Sequence, residues 1–356
     1  MRWRIGVQAD PIEQHAWFTL AGLAELSHHG HVDLRYVFRR LPSEPGVWLE
    51  VEDRAADATF SVLVDARDYA ITKSPSRHRL ADVVWKRSFL APEERKVLPF
   101  GFNLPCTSGH ERVTSYLVPS LIAGVRSEPR RRRLRLKRAI ASWMRLRDGS
   151  AYPKREEYES DPVEGRGYVV FQVHAWDPDA AEIESSSERE DRLQVNEQRA
   201  EIIRRCREEF GPIFVGGFVP SPTAIEQYPD LVSQRASDRD SYLEVVKKSD
   251  VGLASRGLHK SNPFKIPEYL AASRPIVTEE LAFDVPSPLE ERVNVITYQD
   301  PDGAVAACRH VLDSPELRHA MRVANHRYWL EEGRPATLIK KRLEASLAVL
   351  QDESGD

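Results

Sequence analysis

The stretch from residue 249 to residue 277 reads SDVGLASRGLHKSNPFKIPEYLAASRPIV. Its apolar run at 250–254 predicts a strand, and the polar residues 255–262 predict a loop that contains Gly257. Residues 263–272 have the length and composition of a helix, and 275–278 predict a second strand. Two strands joined by a helix form a right-handed parallel crossover, so this stretch predicts an α/β fold built on a parallel sheet.

The same alternation of strands and helices runs along the rest of the chain. The first half predicts strands at 4–7, 33–38, 60–64, 82–85 and 96–99 and helices at 17–26 and 115–147. The second half predicts strands at 168–173, 212–218 and 293–298 and helices at 194–210, 241–248, 301–312, 315–329 and 335–350. The polar segment 148–167 predicts a junction. We expect an N-terminal domain at 1–160, a C-terminal domain at 161–334, and a last helix and tail at 335–356 that pack back across the junction.

Length and composition agree with two globular domains. The chain has 356 residues, 41% of them apolar and 30% charged, and a domain usually takes about 150 residues. No apolar run is long enough to span a membrane. Asp10 and Pro11 stand where a signal peptide would be apolar, and the three cysteines are far apart without zinc-type spacing. We therefore expect a reduced, cytoplasmic protein without a structural metal.

The quoted stretch resembles the donor-site motif of GT-B glycosyltransferases of the family 4 (group 1) type. The resemblance lies in Ser249-Asp250-Val251-Gly252-Leu253 and in the run from Pro263 through Lys265 and Glu268-Tyr269-Leu270-Ala271 to Pro275-Ile276-Val277. It implies a GT-B fold, with two Rossmann-like domains facing each other across a cleft. It also implies transfer of a sugar from a nucleotide-diphosphate sugar to an acceptor hydroxyl on a glycan, a lipid-linked carrier or a small molecule. No cofactor and no metal are expected, and the nucleotide sugar is a co-substrate.

The residues themselves indicate how this segment would bind a donor. Ser261 and Asn262 are good N-caps before a helix, and its free amides would attract a diphosphate. Lys260 and Lys265 add positive charge, and Glu268 could accept two hydrogen bonds from a ribose diol. In the alternative interpretation, Lys265 and Glu268 are an ordinary surface pair.

The chain departs from the family pattern at one position. Many family 4 enzymes have a Glu eight residues before the ribose-binding Glu, and Lys260 occupies that position here. His259, Lys260 and Ser261, with Gly257 in the same loop, are therefore the predicted contacts of the donor sugar or phosphate.

Three further residues are candidates for donor binding. Trp176 follows the strand at 168–173 and would stack on the base, or else cap the domain hinge. Arg199 would donate two hydrogen bonds to the diphosphate, or else lie on a solvated helix face. Gly217 would let the chain approach a ligand closely, or else form an ordinary turn.

The first domain is expected to bind the acceptor. Asp10 and His15 follow the first strand, and either could accept the proton of the acceptor hydroxyl, since inverting GT-B enzymes take their base from this domain. The alternative is a structural His15 near a helix start. Asp65, Arg67 and Asp68 follow the strand at 60–64 and are predicted to bind the acceptor.

Two clusters suggest other partners. His28, His29 and His31 do not share a helix face, so we do not expect a metal there. Segment 126–147 holds nine Arg and one Lys against one Glu, which gives it a net charge of +9. Because the whole chain has a net charge of −4, the remaining residues carry −13. The segment also contains apolar residues at near-helical spacing, namely Leu134, Leu136, Ile140, Trp143 and Leu146. This pattern predicts a helix that rests on the anionic inner face of a membrane, and the alternative is a solvated helix. An anionic acceptor or carrier would fit this charge, and nucleic acid is not expected.

Two other functions remain open at this stage. A nucleotide-sugar 2-epimerase shares the two-domain cleft, although the Glu-Tyr-Leu-Ala segment favours a transferase. A catalytically silent GT-B protein that binds or scaffolds a partner is the second alternative, because Lys260 departs from the family pattern.

Overall fold

The computed structural model describes residues 1–9, 14–37, 46–68, 80–90, 96–111, 136–137, 140–141, 144, 152–181, 183, 185–234 and 238–354. The chain divides into two compact units. The first unit comprises residues 1–157, 284–286 and 334–356, and the second unit comprises residues 158–283 and 287–333.

The first unit contains a six-stranded sheet. Its elements are β1 (Trp3–Gln8), α1 (Ala16–His28), β2 (Val32–Tyr36), β3 (Val47–Asp53), β4 (Ala58–Asp65), β5 (Val83–Lys86), β6 (Val97–Pro99) and a short α2 (Arg155–Tyr158) that ends at the unit boundary. The strand order is β2-β1-β3-β4-β5-β6. β3 is antiparallel to both of its neighbours, whereas the other pairs are parallel. The carboxyl ends of β1, β4 and β5 therefore share one edge with the start of β3.

Sequence reasoning did not predict β3. The strand alternates apolar and acidic residues and reaches β4 through a tight turn in which Asp57 has a positive φ of 51°. Inserting an antiparallel strand between β1 and β4 needs no helical crossover, so a search for alternating strands and helices passes over it.

The last helix of the chain, α9 (Pro335–Ser354), belongs to the first unit and packs on α1. Gly22 of α1 lies against the carbonyl of Pro335, where a Cβ would overlap the backbone. The indole Nε1 of Trp85 donates to Ser346 Oγ over 2.9 Å. A buried apolar contact and a buried hydrogen bond thus attach the end of the chain to the first sheet.

The second unit is a doubly wound parallel α/β unit. Its elements are β7 (Tyr168–Val173), α3 (Ser186–Phe210), β8 (Phe214–Phe218), α4 (Pro222–Gln227), α5 (Arg239–Lys248), β9 (Ser249–Ala254), α6 (Lys265–Ala271), β10 (Ile276–Glu279), β11 (Val295–Tyr298), α7 (Pro301–Asp313), α8 (Pro315–Tyr328) and a π-helical turn, Trp329–Gly333. All strands pair in parallel in the order β11-β10-β9-β7-β8. The α/β fold class predicted from the sequence is confirmed.

The central strands of the second sheet, β7 and β9, bury both faces. Val169, Phe171 and Val173 face the core formed with α3 and α7. On the opposite face, α6 lies so close to β9 that a Cβ at Gly252 would overlap the Tyr269 ring. Because alternate side chains point to opposite faces, Gln172 and the residue after the strand, His174, lie on this second face.

Buried charges hold the amino-terminal edge of the second sheet together. Asp250 accepts hydrogen bonds from the amides of Gly165 (3.0 Å) and Gly167 (2.6 Å) and pairs with the guanidinium of Arg322. Both charged side chains are almost fully buried, at 7% and 1% exposed. The Asp of the sequence motif therefore has a structural role, which is to fix the chain segment that enters β7.

We expect Asp250→Asn to destabilise the second unit by about 3–5 kcal/mol, because it leaves the Arg322 charge buried without a carboxylate. Denaturant unfolding followed by circular dichroism measures the change. Asp302→Asn is the matched control, because Asp302 pairs with Arg205 at 76% exposure, and it should cost at most about 1 kcal/mol. Equal effects of the two substitutions would contradict the structural role of Asp250.

Candidate functional site

A crevice lies at the carboxyl edge of the second sheet, between β7 and β9. The chain leaves β7 toward β8 on one side and later returns to β9 on the other side. The connections therefore diverge at this point, and ligands of open α/β sheets bind in the crevice where the strand order reverses. A polar residue follows each strand here, His174 after β7 and Ser255 after β9.

Arg199 of α3 spans the crevice. Its guanidinium donates to the carbonyls of His174 (2.8 Å) and Arg256 (2.9 Å) and to Ser255 Oγ (3.2 Å). Burial lowers the pKa of Arg199 to about 10, so the side chain stays cationic at neutral pH. The alternative of a solvated helix face is wrong, because the residue is 6% exposed. Arg199 joins the ends of β7 and β9, and its contact with a diphosphate stays a prediction.

Glu268 lies in a cluster of three interacting side chains from α5 and α6. Its Oε2 accepts a hydrogen bond from the Tyr242 hydroxyl over 2.6 Å and pairs with Lys265 Nζ over 3.0 Å. The Lys265 ammonium also lies 4.0 Å from the centroid of the Tyr242 ring. Burial and the neighbouring Glu268 charge raise the pKa of Tyr242 well above its usual value, so the phenol remains a donor. The pair predicted from the sequence is thus partly buried and has a third member.

These side chains line an open cavity of about 290 Å³. Its walls are Tyr158, Gln172, His174, Val219, Asp238, Arg239, Tyr242, Leu243, Lys265 and Glu268. Of the residues predicted to bind the donor, Lys265 and Glu268 line this cavity, and the others do not. The structure adds polar groups from β7 and α5 that the sequence reasoning missed.

Part of what was missed had a signal in the sequence. Gln172 and His174 stand two residues apart at the end of a predicted strand, so strand periodicity places both on one face. Tyr242 and Arg239 come from α5, and no local pattern connects that helix to Glu268. Only the packing of α5 beside α6 brings them together.

His174 titrates abnormally in this cavity. His174 is exposed at this cavity, but partial desolvation of its ring disfavours the charged form, and Lys265 and Arg199 repel a further positive charge. Both effects lower the pKa of His174, against a smaller opposing effect of Glu268. The free site therefore favours a neutral imidazole.

The loop after β9 has a fixed and unusual backbone. The amide of Gly257 donates to the carbonyl of Ser261 over 2.9 Å, and a Cβ at Gly257 would overlap the Ser261 hydroxyl. His259 and Lys260 both have a positive φ, 57° and 58°. The amide of His259 donates to Asp191 Oδ2 over 2.7 Å, and Lys260 is exposed while Ser261 is buried. Their predicted contacts with donor sugar or phosphate stay predictions.

The predicted helix cap at Ser261 and Asn262 is wrong. α6 begins at Lys265, and no side chain caps it. The Asn262 side chain instead donates to the carbonyl of Phe283 (2.8 Å) and accepts from its amide (3.2 Å). These two bonds occupy the side-chain amide of Asn262, which the prediction assigned to capping. α6 is also short, with only seven residues.

Trp176 and Gly217 are held by contacts within the protein. The amide of Trp176 donates to Asn196 Oδ1 over 2.8 Å, and Asn196 Nδ2 donates back to the Trp176 carbonyl over 2.7 Å. Gly217 has a φ of 131°, and a Cβ there would overlap the carbonyl of Leu231. Neither residue lines the cavity, and their roles in donor binding stay predictions.

In the first unit, two of the predicted residues meet in a second, smaller cavity. His15 and Arg67 line it, together with Ala16, Gly46, Val47, Val64 and Ala66. Burial is the main reason that the pKa of His15 is lowered, and repulsion from Arg87 adds to it. A neutral imidazole beside a guanidinium can accept a proton from a bound hydroxyl. Asp10, the other predicted base, lies outside the described residues.

Asp65 and Asp68 lie in ion pairs beside this cavity. Asp65 pairs with Arg67 Nε at 2.8 Å and with buried Lys86 at 3.2 Å, whereas Asp68 pairs with Arg87. Desolvation lowers the pKa of Lys86 despite its carboxylate partner. Because Asp65 is 2% exposed, its carboxylate orients cations, and the predicted acceptor contacts of both Asp residues stay predictions.

Two further features bear on partners. The ring of His28 stacks on that of His110, with centroids 3.7 Å apart, and the described part of the chain brings no three His, Cys, Asp or Glu side chains together as a metal site. None of the described helices is both long and apolar enough to cross a membrane. Most of the basic segment 126–147 lies outside the described residues.

Comparison with known proteins gives similarity of structure only. No protein-family model and no curated protein matches the sequence. A glycosyltransferase from Rickettsia africae is 7% identical with a TM-score of 0.45, and the match covers 94% of this chain and 94% of that one. A putative UDP-N-acetylglucosamine 2-epimerase from Listeria monocytogenes is 11% identical with a TM-score of 0.38, covering 82% of this chain and 68% of that one.

A third similar structure is HepE from Anabaena in complex with UDP-glucose. It is 8% identical with a TM-score of 0.34, and the match covers 79% of this chain and 80% of that one. Glycosyltransferases are among the similar structures, and the sequence motif resembles that group. The predicted α/β fold class is confirmed by the two sheets.

The lowered pKa of His15 predicts a pH-dependent contribution to stability. Between that lowered pKa and about 6.5, the unfolded chain binds more protons at this residue than the folded chain does. The contribution is therefore lost as the pH falls below about 6.5 and is constant above it. We expect the melting temperature of wild type relative to His15→Gln to fall on going from about pH 7 to about pH 5.

Thermal unfolding across that range measures the difference. His310→Gln, on the exposed face of α7, is the control and should leave the pH profile of wild type unchanged. Parallel profiles for wild type and His15→Gln would show that His15 titrates alike in the folded and unfolded states.

Proposed function

We propose that the protein is a glycosyltransferase that moves a sugar from a nucleotide-diphosphate sugar to an acceptor hydroxyl. The observation that carries the proposal is the convergence of Glu268, Lys265, Tyr242 and His174 on one cavity at the strand-order reversal of the second sheet. Glycosyl transfer from such a donor needs two things here: a carboxylate that orients the nucleoside and positive charge that receives the leaving diphosphate.

Glu268 is proposed to bind the ribose of the donor. Its Oε2 already accepts from Tyr242 and Lys265, and these bonds fix the plane of the carboxylate. A carboxylate has about four acceptor positions, so the group can still accept two hydroxyl donors. A preoriented acceptor binds a diol with less loss of side-chain entropy than a mobile one.

Lys265 and the neighbouring cations are proposed to stabilise the diphosphate. Negative charge grows on the leaving phosphate as the glycosidic bond breaks, so a cation held in place before the reaction favours the transition state over the ground state. Lys265 is restrained by Glu268 and by the Tyr242 ring. Arg239 lines the same cavity.

His15 is proposed to accept the proton of the acceptor hydroxyl. Its lowered pKa keeps the imidazole unprotonated near neutral pH, as a general base requires. Arg67 lines the same cavity of the first unit and offers an anionic group of the acceptor a cationic partner. The donor itself brings all the chemistry that the transfer needs, so we propose that no cofactor takes part.

Incubation with a panel of radiolabelled nucleotide sugars and candidate hydroxyl acceptors tests the function. Acceptor-dependent release of nucleoside diphosphate supports a transferase. Conversion of the donor sugar without an acceptor would instead identify an epimerase. Saturable binding without turnover would identify a binding protein. This alternative is motivated by Lys260, which stands where the family has a Glu.

We expect Glu268→Ala to weaken binding of the nucleotide sugar by roughly 1–3 kcal/mol, because it leaves ribose hydroxyls without an acceptor. Isothermal titration calorimetry measures the change. Glu197→Ala is the matched control, because Glu197 is exposed on α3 of the same unit and pairs with surface Arg204. Unchanged affinity in Glu268→Ala for every nucleotide sugar that binds wild type would remove Glu268 from the site.

The basic segment 126–147 is proposed to bring the protein to an anionic lipid surface, where a lipid-linked acceptor would be found. Its net charge is +9. Among its described helical positions, Ile140 and Met144 are 46% and 51% exposed, one turn apart. Exposed apolar side chains within a basic helix are typical of interfacial binding, and each Lys or Arg near such a surface contributes about 1 kcal/mol.

We expect replacement of all four arginines from Arg130 through Arg133 by Glu to abolish sedimentation with anionic liposomes at low salt. The same variant should bind nucleotide sugar like wild type, because the substitutions lie outside the second unit. Vesicles of neutral lipid are the control, and higher salt should weaken wild-type binding to anionic vesicles. Absence of wild-type binding to anionic vesicles at low salt would leave the segment as a solvated helix.

A further inference from the structure

The described residues that line the cavity beside Glu268 carry no excess of fixed positive charge. Its charged lining residues are two cations, Arg239 and Lys265, and two carboxylates, Asp238 and Glu268. Lys265 is already paired with Glu268, and Asp238 caps α5 by accepting from the amide of Ser241. The diphosphate of a nucleotide sugar carries about two negative charges at neutral pH, so its binding would leave this site with a net negative charge.

Among the described lining residues, His174 alone can change this balance near neutral pH, since its ordinary pKa is about 6.5. It follows β7 directly and lies on the strand face that α5 and α6 cover. The titratable and charged groups around it are Arg199 of α3, Asp238, Arg239 and Tyr242 of α5, Lys265 and Glu268 of α6, and Tyr158.

We propose that the donor diphosphate binds this cavity together with one proton, which His174 takes up, so that the imidazole becomes a cationic phosphate ligand only in the complex. The proposal rests on the proposed function and adds to it the way in which the site acquires its charge. No bond to the sugar is made or broken in this step, and the proton comes from solvent.

The free site disfavours the imidazolium. Desolvation and the cations Lys265 and Arg199 lower the pKa of His174. A bound diphosphate reverses the dominant electrostatic effect, because opposite charges within about 4–6 Å favour the charged form of both partners. Arg199 does not line this cavity, and its guanidinium is already bonded to the carbonyls of His174 and Arg256 and to Ser255.

Linkage fixes the sign of the pH dependence. The complex holds more protons than the free protein, so affinity falls as pH rises from the pKa of His174 in the free site to its pKa in the complex. Where one proton is fully coupled, the dissociation constant rises about tenfold per pH unit. Outside that pH window, His174 does not make the affinity depend on pH.

Calorimetric titration in buffers of different ionisation enthalpy measures the proton uptake directly. The probes are UDP-glucose, GDP-mannose and ADP-glucose, whose phosphates are fully esterified on the sugar side and do not titrate near neutral pH. With the tightest of them, we expect uptake of a fraction of a proton, up to one, between about pH 6 and about pH 8. The matching nucleoside, which lacks phosphate, should give no uptake.

Two variants at one position separate charge from structure. His174→Gln should abolish proton uptake and make the donor affinity independent of pH. That affinity should equal the weaker affinity that wild type shows at high pH. His174→Lys carries a permanent charge, so it should also show no uptake but keep tight binding at high pH. His310→Gln, on exposed α7, should behave as wild type, and thermal unfolding confirms that each variant is folded.

The outcomes distinguish this proposal from the proposed function. Donor binding without uptake in wild type, or with the same uptake in His174→Gln, overturns the role of His174 and leaves the transferase proposal intact. Failure of all three donors to bind, in a chain that is folded, overturns both.

Discussion

The geometry of the candidate site depends on one buried guanidinium. Arg199 donates to the carbonyls that end β7 and enter the loop after β9, and to the Ser255 hydroxyl between them. The chain connections diverge where the strand order reverses. A single planar donor with several N–H groups bonds to carbonyls that follow both strands and joins the two segments. The cavity lined by Glu268 and His174 is built on this fixed base.

Charge in the second unit is divided between structure and binding. Arg199, Arg274 and Arg322 are buried and bonded to backbone carbonyls or to Asp250. Burial lowers the pKa of Arg274 to about 10, as it does for Arg199, still well above neutral pH, so these two side chains stay charged and need hydrogen-bond partners. Lys265 and Arg239, in contrast, line an open cavity. Arg suits the first task because its planar fork satisfies several acceptors at once, whereas Lys265 carries a compact point charge on a flexible stem that can adapt to a ligand.

The first unit follows a related plan with one added strand. Antiparallel β3 places Gly46 and Val47 beside His15 at the edge where β4 ends. A purely parallel sheet would have a helical crossover at this point. The small cavity that brings His15 and Arg67 together is therefore a consequence of β3, and the ion pairs of Asp65 with Lys86 and of Asp68 with Arg87 form its charged surroundings.

The sequence by itself determined the α/β class, most strands of both sheets and the Lys265 and Glu268 pair, because strand alternation, helical spacing and a short motif are local signals. It did not predict β3, whose place between β1 and β4 is a long-range pairing. It assigned Asn262 to a helix cap, whereas Phe283, 21 residues further on, takes both of its hydrogen bonds. Tertiary structure alone decided that Tyr242 meets Glu268 and that Arg199 faces the crevice instead of solvent. Those contacts join helices that no local pattern relates, and they form only when both faces of the sheet are covered.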